Sequence, residues 1–297
     1  MSQTDNKYRM IGIGEVLWDM LPSGRRLGGA PANFAFHAQA LGGVGTTVSA
    51  VGPDVLGQEI IQQLKGMNLN TGYITIDPDH PTGTVSVKLD QKGLPDYTIN
   101  ENVAWDFISA YDGLFDLAAQ AQVVCFGSLA QRSLVSRDTI GLFLQHTNTS
   151  CLKIFDINIR QSYYTVDMFQ QMLALSDVLK LNKEELIKLT ELLNLSGSEP
   201  DVLTQMLESY DLRLIALTRG DQGSLLLTEN ERSEHPGFSV ETVDTVGAGD
   251  AFSATLALAL LRGKTLDQIN EYANRIAGYV CTQTGATPNI PDHLKYF

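Results

Sequence analysis

Cysteine is scarce in this chain of 297 residues. Cys125, Cys151 and Cys281 lie far apart, are odd in number and form no C-x-x-C, so neither a zinc site nor a disulfide framework is expected. Cys125 and Cys151 adjoin apolar runs and read as small buried hydrophobes. Positive charge is also short. There are 21 Lys and Arg against 34 Asp and Glu, a net charge of −13, with no basic run. A nucleic-acid surface is therefore not expected, and any bound phosphate must be held by backbone donors and a few placed cations. No apolar run reaches the roughly 18 residues of a membrane span, and the polar residues 1–7 do not read as a signal peptide. The expectation is a soluble, cytoplasmic protein with no membrane partner. The pattern G-x-x-x-x-G-K-[ST] is missing, which removes a Walker A phosphate cradle. Internal repeats, low-complexity segments and linkers are missing too. With 43% hydrophobic residues the chain can build one large α/β domain or two ordinary ones.

What the chain does contain is a rhythm. Residues 10–14, 48–51, 122–126, 152–156, 178–181 and 214–218 are short apolar runs that read as buried strands. Helical patterns cover 34–41, 57–67, 136–146, 166–176, 183–193, 200–210 and 251–261. This alternation predicts an α/β fold, a mostly parallel sheet with helices on both faces. Residues 84–90 break the rhythm. They alternate with period two, and a Gln91-Lys92-Gly93 turn leads to a second strand at 97–99, the pattern of a hairpin with one wet face. Residues 195–200 read as a surface loop. The G-x-G of Gly12 and Gly14 does not extend to a dinucleotide fingerprint, because Leu17 stands where the third glycine belongs and no helix opens at once.

The most informative stretch is Asp244-Thr245-Val246-Gly247-Ala248-Gly249-Asp250, directly before the apolar helix pattern at 251–261. Small residues at a helix N-terminus leave backbone N–H groups and the positive dipole end facing outward, which makes an anion site. Asp250 beside that site suits proton abstraction from an attacking hydroxyl while the amides hold a phosphoryl group. Taken alone, the turn could equally be structural, with Asp250 a plain N-terminal charge. A second glycine motif, Gly28-Gly29-Ala30-Pro31-Ala32-Asn33, precedes the 34–41 helix. Asp19 lies just past the first strand, where a carboxylate can accept two sugar hydroxyls or cap a turn. Asp156-Ile157-Asn158-Ile159-Arg160 alternates, so three polar side chains would leave one side of an extended segment. Asn182-Lys183-Glu184-Glu185 opens a helix and complements its dipole. Thr218-Arg219-Gly220-Asp221-Gln222-Gly223 reads as a hairpin turn after a buried strand.

The paired motifs, Gly-Gly…Asn and D-T-x-G-A-G-D in this order and separation, resemble those of the ribokinase-like, or PfkB, family of carbohydrate kinases, and the resemblance spans essentially the whole chain. It implies a single kinase domain over 1–297, with a small β-sheet lid from about 15–27 and 84–100 covering a sugar. It implies ATP and Mg²⁺ as cofactors, with K⁺ as a further candidate, and a homodimer formed through the lid. Asp250 would be the catalytic base, and the amides of Gly247, Ala248 and Gly249 the anion hole. Arg160 would face the transferring phosphate or the sugar, oriented by Asp156 and Asn158. Asp19, Gly29 and Asn33 would hold the sugar, with Tyr97 closing over it or serving as an ordinary cross-strand aromatic. Asn182, Thr218, Gly220, Gly223 and Asn274 would line the nucleotide, and Glu185 would organise Mg²⁺ through water. Asp244, Val246, Val280, Gln283, Gly285 and Asn289 fall on the positions of a monovalent-cation site, mostly through backbone carbonyls.

Within the family, Gly-Gly-Ala-Pro-Ala-Asn and the Phe155–Arg160 segment look like the bacterial fructokinase branch. Asn100 stands where some relatives place a lid arginine, which argues against a carboxylated or phosphorylated sugar. The reading is an ATP-dependent fructokinase. Ribokinase, or another ketose or nucleoside kinase of the same fold, is the alternative enzyme. A silent sugar sensor is the alternative class, and a nicotinamide dehydrogenase fails at Leu17.

Overall fold

The computed structural model describes residues 7–21, 24–89 and 95–295. In chain order its strands are β1 (Arg9–Ile13), β2 (Leu17–Leu21), β3 (Gly24–Gly28), β4 (Val44–Val51), β5 (Ile74–Ile76), β6 (Gly83–Leu89), β7 (Pro95–Ile99), β8 (Val123–Phe126), β9 (Leu152–Asp156), β10 (Val178–Asn182), β11 (Leu214–Thr218), β12 (Ser224–Leu227) and β13 (Arg232–His235). Its helices are α1 (Ala30–Ala40), α2 (Val55–Gly66), α3 (Asp112–Ala119), α4 (Leu134–Gln145), α5 (Val166–Ala174), α6 (Lys183–Leu192), α7 (Glu199–Ser209), α8 (Ala248–Leu261), α9 (Leu266–Cys281) and α10 (Asp292–Lys295).

One nine-stranded sheet runs β13-β12-β11-β10-β9-β8-β1-β4-β5. It is parallel from β5 to β11, and β12 and β13 add antiparallel at one edge. Successive side chains of a strand point to opposite faces, and the core divides accordingly. Ile11, Val124, Phe155, Leu179 and Ile215 pack beneath α3–α7. Met10, Val123, Ile154, Val178 and Leu214 pack beneath α1, α8 and α9. Both faces are covered, so the parallel strands are mostly apolar, as read from the sequence, with buried polar residues at Thr46, Thr47 and Ser49 of β4 and Lys180 of β10. Gly12 sits where β1 meets α1. A Cβ there would lie 2.0 Å from the Pro31 carbonyl oxygen, so close helix packing, and no cofactor, accounts for the first glycine of the G-x-G.

The lid is a separate sheet of order β3-β2-β6-β7. The expected hairpin is present: β6 and β7 pair antiparallel, with Tyr97 opposite Val87. The expected 91–93 turn and the Tyr97 side chain lie outside the described residues. Leu17, Val85 and Ile99 form the lid's buried inner surface. Asn100 is bound within the lid, donating to Thr84 Oγ1 at 2.6 Å. Among the described residues no helix is long and apolar enough to cross a membrane.

Candidate active site

The parallel strands all present their carboxyl ends to one crevice, where open α/β sheets bind ligands. Glu15 follows β1, while Asp156, Asn182 and Thr218 are the last residues of β9, β10 and β11. The lid closes the crevice from above, and the N-terminus of α8 enters from the side. Two cavities result. One, of about 450 Å³, holds Glu15, Asp19, Gly29, Asn33, Arg160, Glu185 and Asp250. The other, of about 860 Å³, holds Gly220, Gly223, Phe238, Asn274 and Gly278. They share Asn182, Thr218, Thr245 and Gly249, so they join at the first turn of α8.

That turn is built as the sequence implied. Gly247 caps α8 at φ 81°, in the left-handed region, and a Cβ there would lie 2.4 Å from the Ala286 carbonyl oxygen. Both the conformation and the space demand glycine. Ala248 and Gly249 are already helical, and Asp250 is third in the helix. Gly249 has no left-handed φ; its reason is different. A Cβ on it would lie 2.9 Å from Nζ of Lys180.

Asp250 is walled in by protein yet open to the first cavity. Its Oδ2 accepts from Asn33 Nδ2 at 2.8 Å. Burial, then the charge of Asp156, lifts its carboxyl to about 7, against the opposing pull of Asn33, Lys180 and Arg160. A carboxyl poised there can take a proton at neutral pH. Asn33 thus touches the expected base directly, besides facing the sugar side. Gly29, at φ 118°, is required by a backbone approach, since a Cβ would lie 2.5 Å from the Glu15 carbonyl oxygen. Asp19, on β2, faces the same cavity and has no hydrogen-bond partner among the described residues. Burial raises its pKa, with Arg160 and Arg26 opposing.

One expectation is corrected. Asp156 and Asn158 do not orient Arg160. Asp156 Oδ1 accepts from Lys180 Nζ at 2.9 Å, and its Oδ2 accepts from Ser253 Oγ at 2.8 Å. Asn158 adopts φ 50°, which breaks the alternation that an extended segment would have kept. Arg160 is exposed and donates to the Ile159 carbonyl at 3.2 Å. It still lines the cavity and acts electrostatically on Glu15, Asp19 and Asp250.

Asn182 and Glu185 form a capping box. Asn182 Oδ1 accepts from the Glu185 amide at 2.9 Å, and Glu185 Oε2 accepts from the Asn182 amide at 2.8 Å. Glu185 Oε1 accepts from the Ile159 amide at 3.1 Å. Both carboxylate oxygens are engaged, which suits a metal reached through water. Thr218 to Gly223 is the expected turn between β11 and β12. Asn274 reaches the second cavity, but its amide is spent on Ser224 Oγ at 2.7 Å and on Asn270. The residues matched to a cation site cluster around the α8 turn. Asp244 accepts from the Val246 and Gly285 amides and from Arg26 of β3, each at 3.1 Å. Gln283 donates to the Val280 carbonyl, and the Asn289 carbonyl accepts from Tyr279.

Sequence reasoning missed three site residues. Glu15 is buried; burial, with Asp250 adding, lifts it to about 7. Lys180 is buried and lines the first cavity together with Gly247, Gly249 and Asp250. His37, one turn after Asn33 on α1, is buried with its Nε2 2.9 Å from the Ala286 carbonyl, behind the Gly247 turn. The first two carried a signal: a charge directly after, or inside, a buried strand is costly unless used. The loop from Pro236 to Thr242, which walls the second cavity, carried none.

Comparison with known proteins agrees with this geometry. The model of the pfkB family of carbohydrate kinases matches residues 23–293. A sugar kinase of Pyrococcus horikoshii is 31% identical over 280 residues, 91% of this chain and 86% of that one. The fructokinase of Salmonella typhimurium is 30% identical over 260 residues, 84% of this chain and 83% of that one. The structure of a Vibrio cholerae fructokinase with fructose, ADP and calcium bound superposes with a TM-score of 0.80 at 25% identity, covering 96% of each chain. The chain belongs to the pfkB family of carbohydrate kinases and is a phosphotransferase acting on a sugar hydroxyl.

Proposed function

We propose that this carbohydrate kinase is a fructokinase, converting D-fructose and ATP to fructose 6-phosphate and ADP. The observation that carries the reading is the junction of the two cavities at the first turn of α8, with Asp250 on the sugar side and the Gly247–Gly249 amides between the chambers. The sugar lies in the smaller chamber, its far end held by Asp19, its reacting end beside Asn33 and Asp250, and its apolar face against Leu17, Val85 and Ile99. Asp250 takes the proton of the primary hydroxyl as that oxygen attacks the terminal phosphorus of ATP. The bond to the bridging oxygen of ADP breaks, and the α8 amides take up the charge on the moving phosphoryl group. The larger chamber takes the nucleotide along Thr218–Gly223, with Asn274 near the base. Glu185 would hold Mg²⁺ through water, and the ion would supply charge to neutralise the phosphates. A K⁺ ion held by carbonyls around Asp244, Val246, Val280, Gln283, Gly285 and Asn289 would reinforce the anion hole.

Support for a neutral ketose comes from the sugar chamber. Asn100 is tied into the lid and offers no charge, and the acids Glu15 and Asp19 line the chamber and disfavour a carboxylate or phosphate on the sugar. A coupled ADP-release assay over fructose, ribose, other ketoses, sugar acids and nucleosides tests it. The highest kcat/KM with fructose is expected. A higher value for ribose or a nucleoside overturns the sugar assignment. Sugar binding with no turnover of any substrate overturns the kinase chemistry and favours a sensor.

A further inference from the structure

Two cations line the smaller chamber near the point where it meets the larger one. Arg160 acts on the acids of the sugar chamber, Glu15, Asp19 and Asp250. Lys180 acts on Asp156, Glu185 and Asp250, where the smaller chamber meets the first turn of α8. Lys180 stands on β10, two residues before its end, at 8% exposure. Its ammonium carries three donors. One is spent on Asp156 at 2.9 Å, and no second hydrogen bond is formed among the described residues. The ammonium lies directly beneath the anion hole, in the space a side chain at position 249 would fill. The second glycine of the turn leaves this space to the ammonium.

A buried ion pair adds little to stability and is often replaceable by apolar residues without loss. Burial alone would discharge the amine, yet Asp156, Glu185 and Asp250 outweigh it and keep the ammonium charged. Asp156 is itself anchored by Ser253 of α8, so the lysine and the anion turn are held in one frame.

We infer that Lys180 is a catalytic residue: its ammonium donates to the transferring phosphoryl group from beneath the α8 turn, adding a full charge to a hole otherwise made of neutral amides. Asp156 and Ser253 position it. No bond forms to the lysine and its proton stays in place; it stabilises negative charge while the phosphoryl group passes from ADP to the sugar oxygen. The inference rests on the kinase reading above, but binding tests it separately.

The test compares ATP with ADP, since a group at the terminal phosphate distinguishes them. In Lys180→Met, ATP affinity is expected to fall roughly 10- to 100-fold while ADP changes less than about threefold, and kcat to fall on the order of 10²-fold with the sugar Kd unchanged. The single variant strands Asp156, so Lys180→Met/Asp156→Asn removes both charges. Its Tm is expected near wild type, with kcat and the ATP-to-ADP affinity ratio still at the single-variant level. Wild-type discrimination between ATP and ADP in either variant, or recovery of kcat in the double variant, overturns the assignment and leaves Lys180 a structural ion pair. A wild-type protein that phosphorylates no sugar refutes the proposed function alone, because the nucleotide affinities still decide Lys180.

Discussion

Replacing the proposed base, Asp250→Asn, should slow the enzyme and stabilise it. The side chain keeps its size, and its amide oxygen can still accept from Asn33, which donates at 2.8 Å. What is lost is the proton acceptor, and kcat should fall by roughly 10²–10⁴-fold with little change in sugar binding. The gain in stability follows from the raised carboxyl. Lifted from 3.8 to about 7, it makes the folded protein bind more protons than the unfolded chain between those values, so stability falls as pH rises through that window. At about 1.4 kcal/mol per pKa unit, the ionised carboxylate costs the fold roughly 4 kcal/mol at full strength. Its access to the cavity reduces what is felt to roughly 1–3 kcal/mol. The variant does not titrate. Its advantage should be absent near pH 4, grow between pH 4 and 7, and level off above. Urea unfolding of both proteins across that range, beside steady-state kinetics, reads both effects. A kcat near wild type refutes Asp250 as the base. A loss of stability at pH 8, or a gain that does not vary with pH, refutes the argument that burial of the charge is what raises the pKa.

Three further outcomes are expected. Asp19→Ala should cost on the order of 2–4 kcal/mol in kcat/KM for the sugar by leaving its hydroxyls unpaired; calorimetric titrations should show ATP binding nearly unchanged, and equal losses for both ligands would remove Asp19 from the sugar site. Gly247→Ala forces a side chain into φ 81° and against the Ala286 carbonyl, so both Tm and activity should drop, by on the order of 2 kcal/mol or more in stability; a Tm equal to wild type would show that the turn tolerates a Cβ. Burial lowers His37 to about 4 from its ordinary 6.5, against the pull of the Ala286 carbonyl, so the unfolded chain takes up the proton first and this part of the stability is lost as pH falls from about 6.5 to about 4. His37→Gln should flatten that acid limb in a denaturation series, and an unchanged limb would assign it to other groups.

Much of the fold was legible because its signals are local. Short apolar runs alternating with helical periodicity are what a two-faced parallel sheet requires, and the period-two stretch before Asn100 marked a hairpin for the same reason, its place in a lid being implied by the family resemblance. The anion turn was legible because backbone amides at a helix N-terminus act through small residues adjacent in sequence, and Gly247 to Asp250 lie together on the chain. Side-chain partnerships were not. Asp156 sits four residues from Arg160 in sequence but binds Lys180 and Ser253, because Asn158 turns the backbone left-handed and the end of β9 faces β10 and α8. The bond from Asn33 to Asp250 joins residues 217 positions apart. Glu15 and Lys180 read as ordinary charges until the parallel strands brought their carboxyl ends to one crevice. The sequence by itself marked most of the central strands, the helices between them and the small-residue turn before α8, since these depend on propensity, periodicity and backbone donors, but it did not mark β5, β13, α3 or α9. Only the tertiary structure decided which groups surround Asp250 and that Lys180 lies beneath the α8 turn beside Gly249, because these depend on distances between elements that no local pattern encodes.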